Sequence, residues 1–217
     1  DKKKIKVSGV PQFEDWWIKK ISNIIKNKKM SKRKNKKITI GYNFSDHVSE
    51  FDKSLLNSQL KELFEILNKY QNIDIVLKIH AFKKNMFFAK TFNKYKKKNY
   101  HLSDKNALLE MIDTDVLVTN YKTSLSIYGS VFNIPSITLP KLNLSINEKD
   151  YNDQYSQLGF SKGTKSMSDF NKLLNIAIKK PENQIWKSQR INFKKIYGNN
   201  TILPSKIIMN QLNKINK

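Results

Sequence analysis

The stretch IDIVLKIH, residues 73–80, decides the fold class. It is β-branched and almost continuously apolar, which is typical of a strand covered by helices on both faces of a parallel sheet. Similar short runs occupy residues 38–42, 116–119 and 135–139, and segments of helical periodicity separate them. This alternation predicts an α/β protein with a single Rossmann-like, doubly wound parallel sheet.

The segments outside this alternation divide the chain into three predicted parts. Residues 1–36 contain a short apolar run at 5–7, a helical pattern and a stretch rich in lysine, so we expect a joining strand, a helix and a basic linker. Residues 37–180 are expected to form the Rossmann-like sheet domain. Residues 181–217 continue with helical patterns and are expected to pack on that domain as a helical carboxyl-terminal tail.

Several local features carry more specific expectations. Asp104 precedes a short helical pattern and is predicted to cap that helix, because aspartate is a favoured N-cap residue. Residues 123–132 are predicted to form another helix. Residues 140–164 are polar and without periodicity, which predicts an irregular connection. Residues 204–216 are predicted to form the last helix of the tail.

The charge balance is strongly positive. The 217 residues contain 41 Lys and Arg against 18 Asp and Glu, a formal net charge of +23. Such a field attracts nucleic acid, anionic lipid headgroups or nucleotide-activated substrates, although an excess of Lys, Asn and Ile together also suits simple compositional drift. The sequence has no cysteine, which excludes disulfides and thiolate metal sites, and no apolar run of the ~18 residues that a membrane-spanning helix needs.

Two predicted strands end in residues suited to anion binding. Ligands of open parallel sheets bind outside the carboxyl ends of the strands, where loops and helix amino termini converge. The first strand ends near Gly41 and Asn43, where backbone amides could approach a phosphate, unless this is only a surface loop. The second ends with Lys78 and His80, two donors on one side of the strand. Their alternative role is structural, with His80 bonded to a backbone carbonyl.

A third predicted strand ends at Thr119 and leads into a helix start at Thr123 and Ser124. Hydroxyls and free amides would face an anion that the helix dipole stabilises. The competing explanation is that Thr123 or Ser124 simply caps the helix. Because all three strand ends belong to one edge of the predicted sheet, the sequence predicts a nucleotide-phosphate site there.

Three segments resemble a known group of proteins. Residues 9–16, GVPQFEDW, resemble a G-x-P-R-F-D-x-x-W stretch; residues 76–80, VLKIH, resemble a V-x-K-x-H-P strand end; and residues 118–135 resemble a V-T-D-x-S-S segment that closes with G-K-P. These motifs belong to GT-B-like surface-carbohydrate proteins, which include capsule and lipopolysaccharide glycosyltransferases and the CDP-glycerol glycerophosphotransferases. The similarity covers roughly residues 6–139.

The resemblance implies a fold, an activity and partners. It implies the carboxyl-terminal half of a GT-B fold, which binds a nucleotide-activated sugar or CDP-glycerol as substrate, with no metal and no separate cofactor. Lys78 and His80 would contact donor or acceptor phosphates, and Thr123 and Ser124 the nucleotide phosphate. Tyr128 stands at a usually acidic position that holds ribose or sugar, so a sugar or ribose contact is expected there.

The same resemblance implies what lies outside this chain. The acceptor would be a surface polysaccharide or a lipid-linked molecule, and an amino-terminal domain would bind it and carry catalytic bases. No catalytic residue is therefore assigned within these 217 residues. We expect a cytoplasmic protein, with peripheral contact at the anionic inner face of the plasma membrane left open.

Two other functions stay open on the sequence alone. A basic nucleic-acid-binding module is suggested by the lysine-rich stretch at 26–37 and by aromatic residues interleaved with lysines between 82 and 100. Those aromatics fall largely at helical spacing, which favours core packing, so we expect no nucleic-acid partner. A nucleotide-sugar epimerase of related fold is the other alternative, but it normally needs carboxylates in the cleft.

Overall fold

The fold is taken from a computed structural model of the chain. It describes residues 16, 17, 19–21, 23, 24, 34–42, 50–78, 86–95, 97, 99–120, 123–143 and 154–197. Five sequence-based predictions lie wholly or largely outside these residues: the opening strand at 5–7, the basic linker at 26–37, the last helix at 204–216, and the site residues Asn43 and His80.

The described strands form one parallel sheet in the order β3-β2-β1-β4-β5-β6. This is the order of doubly wound dinucleotide-binding folds, in which the chain reverses its direction of progress between β1 and β4. The predicted α/β, doubly wound architecture is confirmed. The strands are β1 Lys36–Gly41, β2 Ile73–Lys78, β3 Tyr100–Ser103, β4 Val116–Thr119, β5 Ser136–Thr138 and β6 Lys162–Gly163.

Helices cover both faces of this sheet. No helix in the described part of the chain has the length and apolar character needed to cross a lipid bilayer. The helices are α1 Glu50–Leu67, α2 Met86–Tyr95, α3 Ala107–Ile112, α4 Leu125–Val131, α5 Gln154–Gln157, α6 Met167–Lys179 and α7 Gln184–Tyr197.

The larger core lies on the face covered by α1, α2 and α6, which we call the core face. Strand residues alternate between faces, so every second residue points into this core. From the strands it receives Ile38, Ile40, Ile75, Leu77, Val116, Val118 and Ile137. The predicted apolar side of α1 packs against them through Leu56, Leu60, Leu63, Phe64 and Leu67.

The aromatic residues between 82 and 100 contribute to this core where the structure describes their side chains. The rings of Phe92, Tyr95 and Tyr100 lie 5.8, 6.1 and 5.7 Å from the ring of Phe64. Phe92 is 1% exposed, so it is a packing residue. The preference for core packing over a base-stacking surface is therefore confirmed for these three aromatics.

The opposite face of the sheet is covered by α3 and α4, and we call it the α3/α4 face. Here Leu117 packs with Met111 of α3 and Leu125 of α4. The helix α4 lies very close to the sheet at Gly129, where a Cβ atom would come within 2.0 Å of the Ser136 hydroxyl oxygen. Only a glycine permits this approach, which fixes the depth at which α4 packs.

Two local predictions were wrong, and one strand was missed. Asn106, not Asp104, caps α3, because its side-chain oxygen accepts a hydrogen bond from the Leu108 amide at 2.9 Å. The irregular connection predicted at 140–164 contains α5 and the short strand β6. The strand β3 was not predicted, because it lies at the sheet edge with its two central residues exposed and so lacks an apolar run.

Candidate functional site

The last residues of five neighbouring strands lie side by side. The parallel register pairs Ser103 with Lys78, Lys78 with Gly41, Gly41 with Thr119, and Thr119 with Thr138. Each alternates along its strand with a residue of the larger core, so all five belong to the α3/α4 face. We call these five residues the carboxyl-edge row. Three predicted site residues, Gly41, Lys78 and Thr119, are thus adjacent.

Gly41 stands at the centre of the row, at the end of β1. A Cβ atom there would lie 2.3 Å from Cδ1 of Leu125, the first residue of α4. Close packing between β1 and α4 therefore leaves little room for a side chain at this position. This contact brings the start of α4 against the point where the strand order reverses, which is where ligands of this fold class bind.

Lys78 is the cation of the row and is only 9% exposed. Burial lowers its pKa from the ordinary value for lysine, because the surroundings disfavour the charged form. The carboxylates of Glu110 and Asp104 act in the opposite direction and favour the charge. Lys78 therefore sits near two carboxylates at the end of β2, in a less polar environment than a surface lysine.

Glu110 of α3 anchors a buried polar cluster beside the row. It is 2% exposed, forms an ion pair with Lys37 and accepts a hydrogen bond from the Ser103 hydroxyl. Burial alone would raise the pKa of this carboxyl, but the hydrogen bonds from Lys37 and Ser103, together with the charges of Lys37 and Lys105, outweigh burial and lower it. Glu110 is therefore held ionised.

The sequence singled out neither Glu110 nor Ser103 as a site residue. Glu110 lies in a short helix with an ordinary pattern, and its partner Lys37 is far away in the chain. Ser103 ends β3 and Glu110 lies seven residues later in α3, so their nearness in the chain was the available signal. Such a signal does not identify a partner without the strand order.

Thr119 has its hydroxyl engaged within the sheet. Its Oγ1 lies 3.1 Å from Oγ1 of Thr138, which in turn lies 2.7 Å from Oγ of Ser161. The Thr119 side chain is 1% exposed. Its hydroxyl therefore links β4 to β5.

Thr123 and Ser124 precede α4, as predicted, and their capping roles differ. Thr123 Oγ1 accepts from the Leu125 amide at 3.4 Å, which is a long bond. Ser124 occupies the N-cap position without any capping hydrogen bond from its side chain, and it is exposed. Helix capping therefore explains the Thr123 side chain only weakly and does not explain the Ser124 side chain.

Tyr128 lies one turn into α4. Its ring stacks on that of Phe132 at 6.3 Å, and it packs against the small apolar cluster of the α3/α4 face. Tyr128 is half-buried, so part of its side chain remains accessible. Among the residues that the structure describes, no group of three or more His, Cys, Asp and Glu side chains is arranged to hold a metal ion.

No protein family matches the sequence, and no curated protein matches it either. Solved structures do match in fold. The wall teichoic acid polymerase TagF aligns with 98% of this chain and 54% of its own, at a TM-score of 0.56 and 16% identity. The UDP complex of MnaA from S. aureus aligns with 84% of this chain and 45% of its own, at a TM-score of 0.55 and 15% identity.

A third structure corresponds to a single domain. The carboxyl-terminal CMP-Kdo binding domain of WaaA from Acinetobacter baumannii aligns over 98% of its length with 84% of this chain, at a TM-score of 0.50 and 11% identity. This chain thus spans about half the length of TagF and MnaA and nearly all of the WaaA domain. At these identities the likeness concerns the fold. The chain has the Rossmann-like fold of one half of a GT-B protein.

Proposed function

We propose that this chain binds the nucleotide-activated donor of a glycosyl or glycerophosphate transferase, with the donor phosphates at the carboxyl-edge row. The observation that carries the proposal is the adjacency of Lys78, Gly41 and the start of α4 at the strand reversal. A cation, a small residue and the start of a helix then meet at one place. This combination suits a phosphate better than an uncharged ligand.

Each element has a separate role in this proposal. Lys78 supplies positive charge in a partly desolvated position, where a charge interacts more strongly than it does in water. The start of α4 supplies the positive end of its helix dipole, and the exposed Ser124 hydroxyl supplies a donor that capping does not use. Thr119 contributes by holding the end of β4 in position, through the hydrogen bond between its side chain and that of Thr138. Asn43 and His80 are proposed as further phosphate contacts and Tyr128 as a ribose or sugar contact.

The likeness in fold supports the class of ligand. The MnaA structure contains UDP, the WaaA domain is named for binding CMP-Kdo, and TagF is a wall teichoic acid polymerase. By analogy we propose a nucleoside diphosphate or monophosphate leaving group and an acceptor that is a polysaccharide or a lipid-linked molecule. Because the chain spans about half of TagF and MnaA, we also propose that a second domain supplies the acceptor site and the catalytic base.

Calorimetric titration tests the proposal. UDP, CDP and CMP should bind measurably, whereas uridine and cytidine, which lack phosphate, should not. Ser124→Ala should weaken nucleotide binding by about 1–3 kcal/mol if its hydroxyl bonds to a phosphate. It should leave the free energy of unfolding nearly unchanged, because Ser124 makes no capping bond.

Ser166→Ala is the matched control. Ser166 caps α6 by accepting a hydrogen bond from the Asp169 amide at 3.1 Å, so its loss should cost about 1 kcal/mol of stability and no nucleotide affinity. Binding of arbitrary RNA that weakens steeply with salt, without binding of any mononucleotide, would reverse the proposal in favour of a nucleic-acid-binding module.

A further inference from the structure

The helix α7 forms a second surface, separate from the carboxyl-edge row. Of the 14 residues of this helix, none is acidic, and its cations are Lys187, Arg190, Lys194 and Lys195. Its inward side is fixed by three buried residues. Trp186 enters the larger core, Phe193 packs against Val131 and Phe160, and Gln189 donates a hydrogen bond to the Ser136 carbonyl at 2.8 Å.

The fixed inward side determines which residues face outward. Lys187, Arg190, Ile191, Lys194 and Lys195 are all exposed, and we call them the basic face. Ile191 is 53% exposed. It lies four residues from both Lys187 and Lys195, so cations flank it on the helix surface. The basic face is therefore a set of cations around an isoleucine.

Two further aliphatic side chains are exposed on the side of α7 that carries Asn192. Ile196, at the end of α7, is 45% exposed, and Leu158, in the turn before β6, is 42% exposed. This turn adjoins the helix, since the Asn192 side chain donates to the Gly159 carbonyl at 3.5 Å. Cations beside exposed aliphatic groups suit contact with anionic headgroups and the apolar region beneath them.

We propose that the basic face of α7 docks this protein on the surface of an anionic lipid bilayer. The lysines and Arg190 would contact lipid phosphates, while Ile191 enters the boundary between headgroups and acyl chains. The aliphatic residues favour lipid over nucleic acid, because a phosphate backbone offers no apolar region to receive Ile191. The exposed residues of this face include no aromatic ring on which a base could stack.

The basic face of α7 shares no residue with the carboxyl-edge row. Lipid binding and nucleotide binding are therefore assigned to different residues. The inference goes beyond the proposed function and can be tested independently of it.

Vesicle cosedimentation tests the inference. The protein should bind vesicles of phosphatidylcholine and phosphatidylglycerol in equal parts, bind poorly to pure phosphatidylcholine, and be released by salt. Each cation near the surface contributes about fivefold in affinity, so Lys187→Gln with Lys195→Gln should weaken binding about 25-fold. Ile191→Ser, which changes no charge, should weaken it about threefold to tenfold.

The matched control removes two charges elsewhere. Lys172→Gln with Lys179→Gln on α6 gives the same net charge, at two exposed lysines, and should retain nearly full vesicle binding. An equal loss in both double variants would overturn the inference, because binding would then follow net charge alone. An unchanged affinity of Ile191→Ser, or binding to polyuridylate in place of vesicles, would also overturn it. Thermal unfolding of each variant verifies that the fold is intact.

Discussion

The two faces of the sheet are built from the same strands but carry different chemistry. On the core face β1 presents Ile38 and Ile40, and these pack in the larger core. On the α3/α4 face the same strand presents Lys37 and Thr39, which contact Glu110 and Thr114. One face is thus stabilised by apolar burial. The other depends on polar groups that must be paired.

The difference separates stability from the proposed binding site. Burial of apolar side chains requires no particular partner, whereas a buried polar group is costly unless its hydrogen bonds or charges are satisfied. The buried polar groups of the α3/α4 face, which need such partners, lie close to the strand ends that we propose bind phosphate. Stability lost by a substitution on the α3/α4 face should therefore be recoverable by a second substitution that removes the unpaired partner. Stability lost by removing an apolar side chain on the core face has no such single partner.

The largest effect is expected on the core face. Phe64→Ala removes a ring that is 1% exposed and packs against three other aromatics, which should lower the free energy of unfolding by about 3–5 kcal/mol. Denaturant unfolding measures this. Leu109→Ala, at a residue that is 57% exposed, is the control and should change it by less than about 0.5 kcal/mol. A loss below about 1 kcal/mol for Phe64→Ala would contradict the assignment of the core.

A comparable loss is expected from unpairing the buried ions on the α3/α4 face. Glu110→Leu leaves Lys37 without its carboxylate and should cost about 3 kcal/mol. The double variant Lys37→Met with Glu110→Leu should recover most of this stability, because neither charge is then buried alone. Failure of the second substitution to rescue the first would show that pairing does not govern this face.

A smaller effect is expected where α4 meets the sheet. Gly129→Ala places a methyl group 2.0 Å from Ser136 Oγ and 3.2 Å from Leu117 Cδ2, and should cost about 1–3 kcal/mol through overpacking. Adding Ser136→Ala removes the nearest atom and should recover a good part of the loss. Equal stability of wild type and Gly129→Ala would mean that α4 packs less closely than described.

The last effect appears only at alkaline pH and concerns the buried phenol of Tyr100. Burial raises the pKa of Tyr100 to about 12 from 10.0, so the unfolded chain releases this proton at lower pH than the folded chain does. Its contribution is present below pH 10 and is lost as the pH rises toward 12. Tyr100→Phe should therefore lose about 2 kcal/mol less than wild type between these values. Parallel pH profiles for the two proteins would contradict the burial of this phenol.

The sequence predicted the central strands better than the edges, for a physical reason. Buried parallel strands such as β2 require continuous apolar runs, and these are visible in the sequence. The edge strand β3 exposes Leu102 by 39% and so gives no such signal. The position of Gly41, Lys78 and Thr119 at one edge could be predicted, because the carboxyl ends of parallel strands lie at the same edge of a sheet.

The environment of the site could not be predicted in the same way. The Lys37–Glu110 pair joins the start of β1 to α3, and only the folded arrangement brings them together. The hydroxyl of Thr119 suggested an anion contact, yet in the structure it bonds to Thr138. A side chain's type indicates its possible chemistry, but neighbours that are distant in sequence decide whether that chemistry is used.

The most direct test of the account is the nucleotide affinity of Lys78→Met, measured together with its stability. If the row binds donor phosphates, affinity for UDP or CDP should fall about 10- to 100-fold. The free energy of unfolding should stay the same or rise, because burial disfavours the charge of Lys78. Lys172→Met, at an exposed lysine of α6, should leave both quantities unchanged. An affinity that is unchanged in Lys78→Met would contradict the central claim.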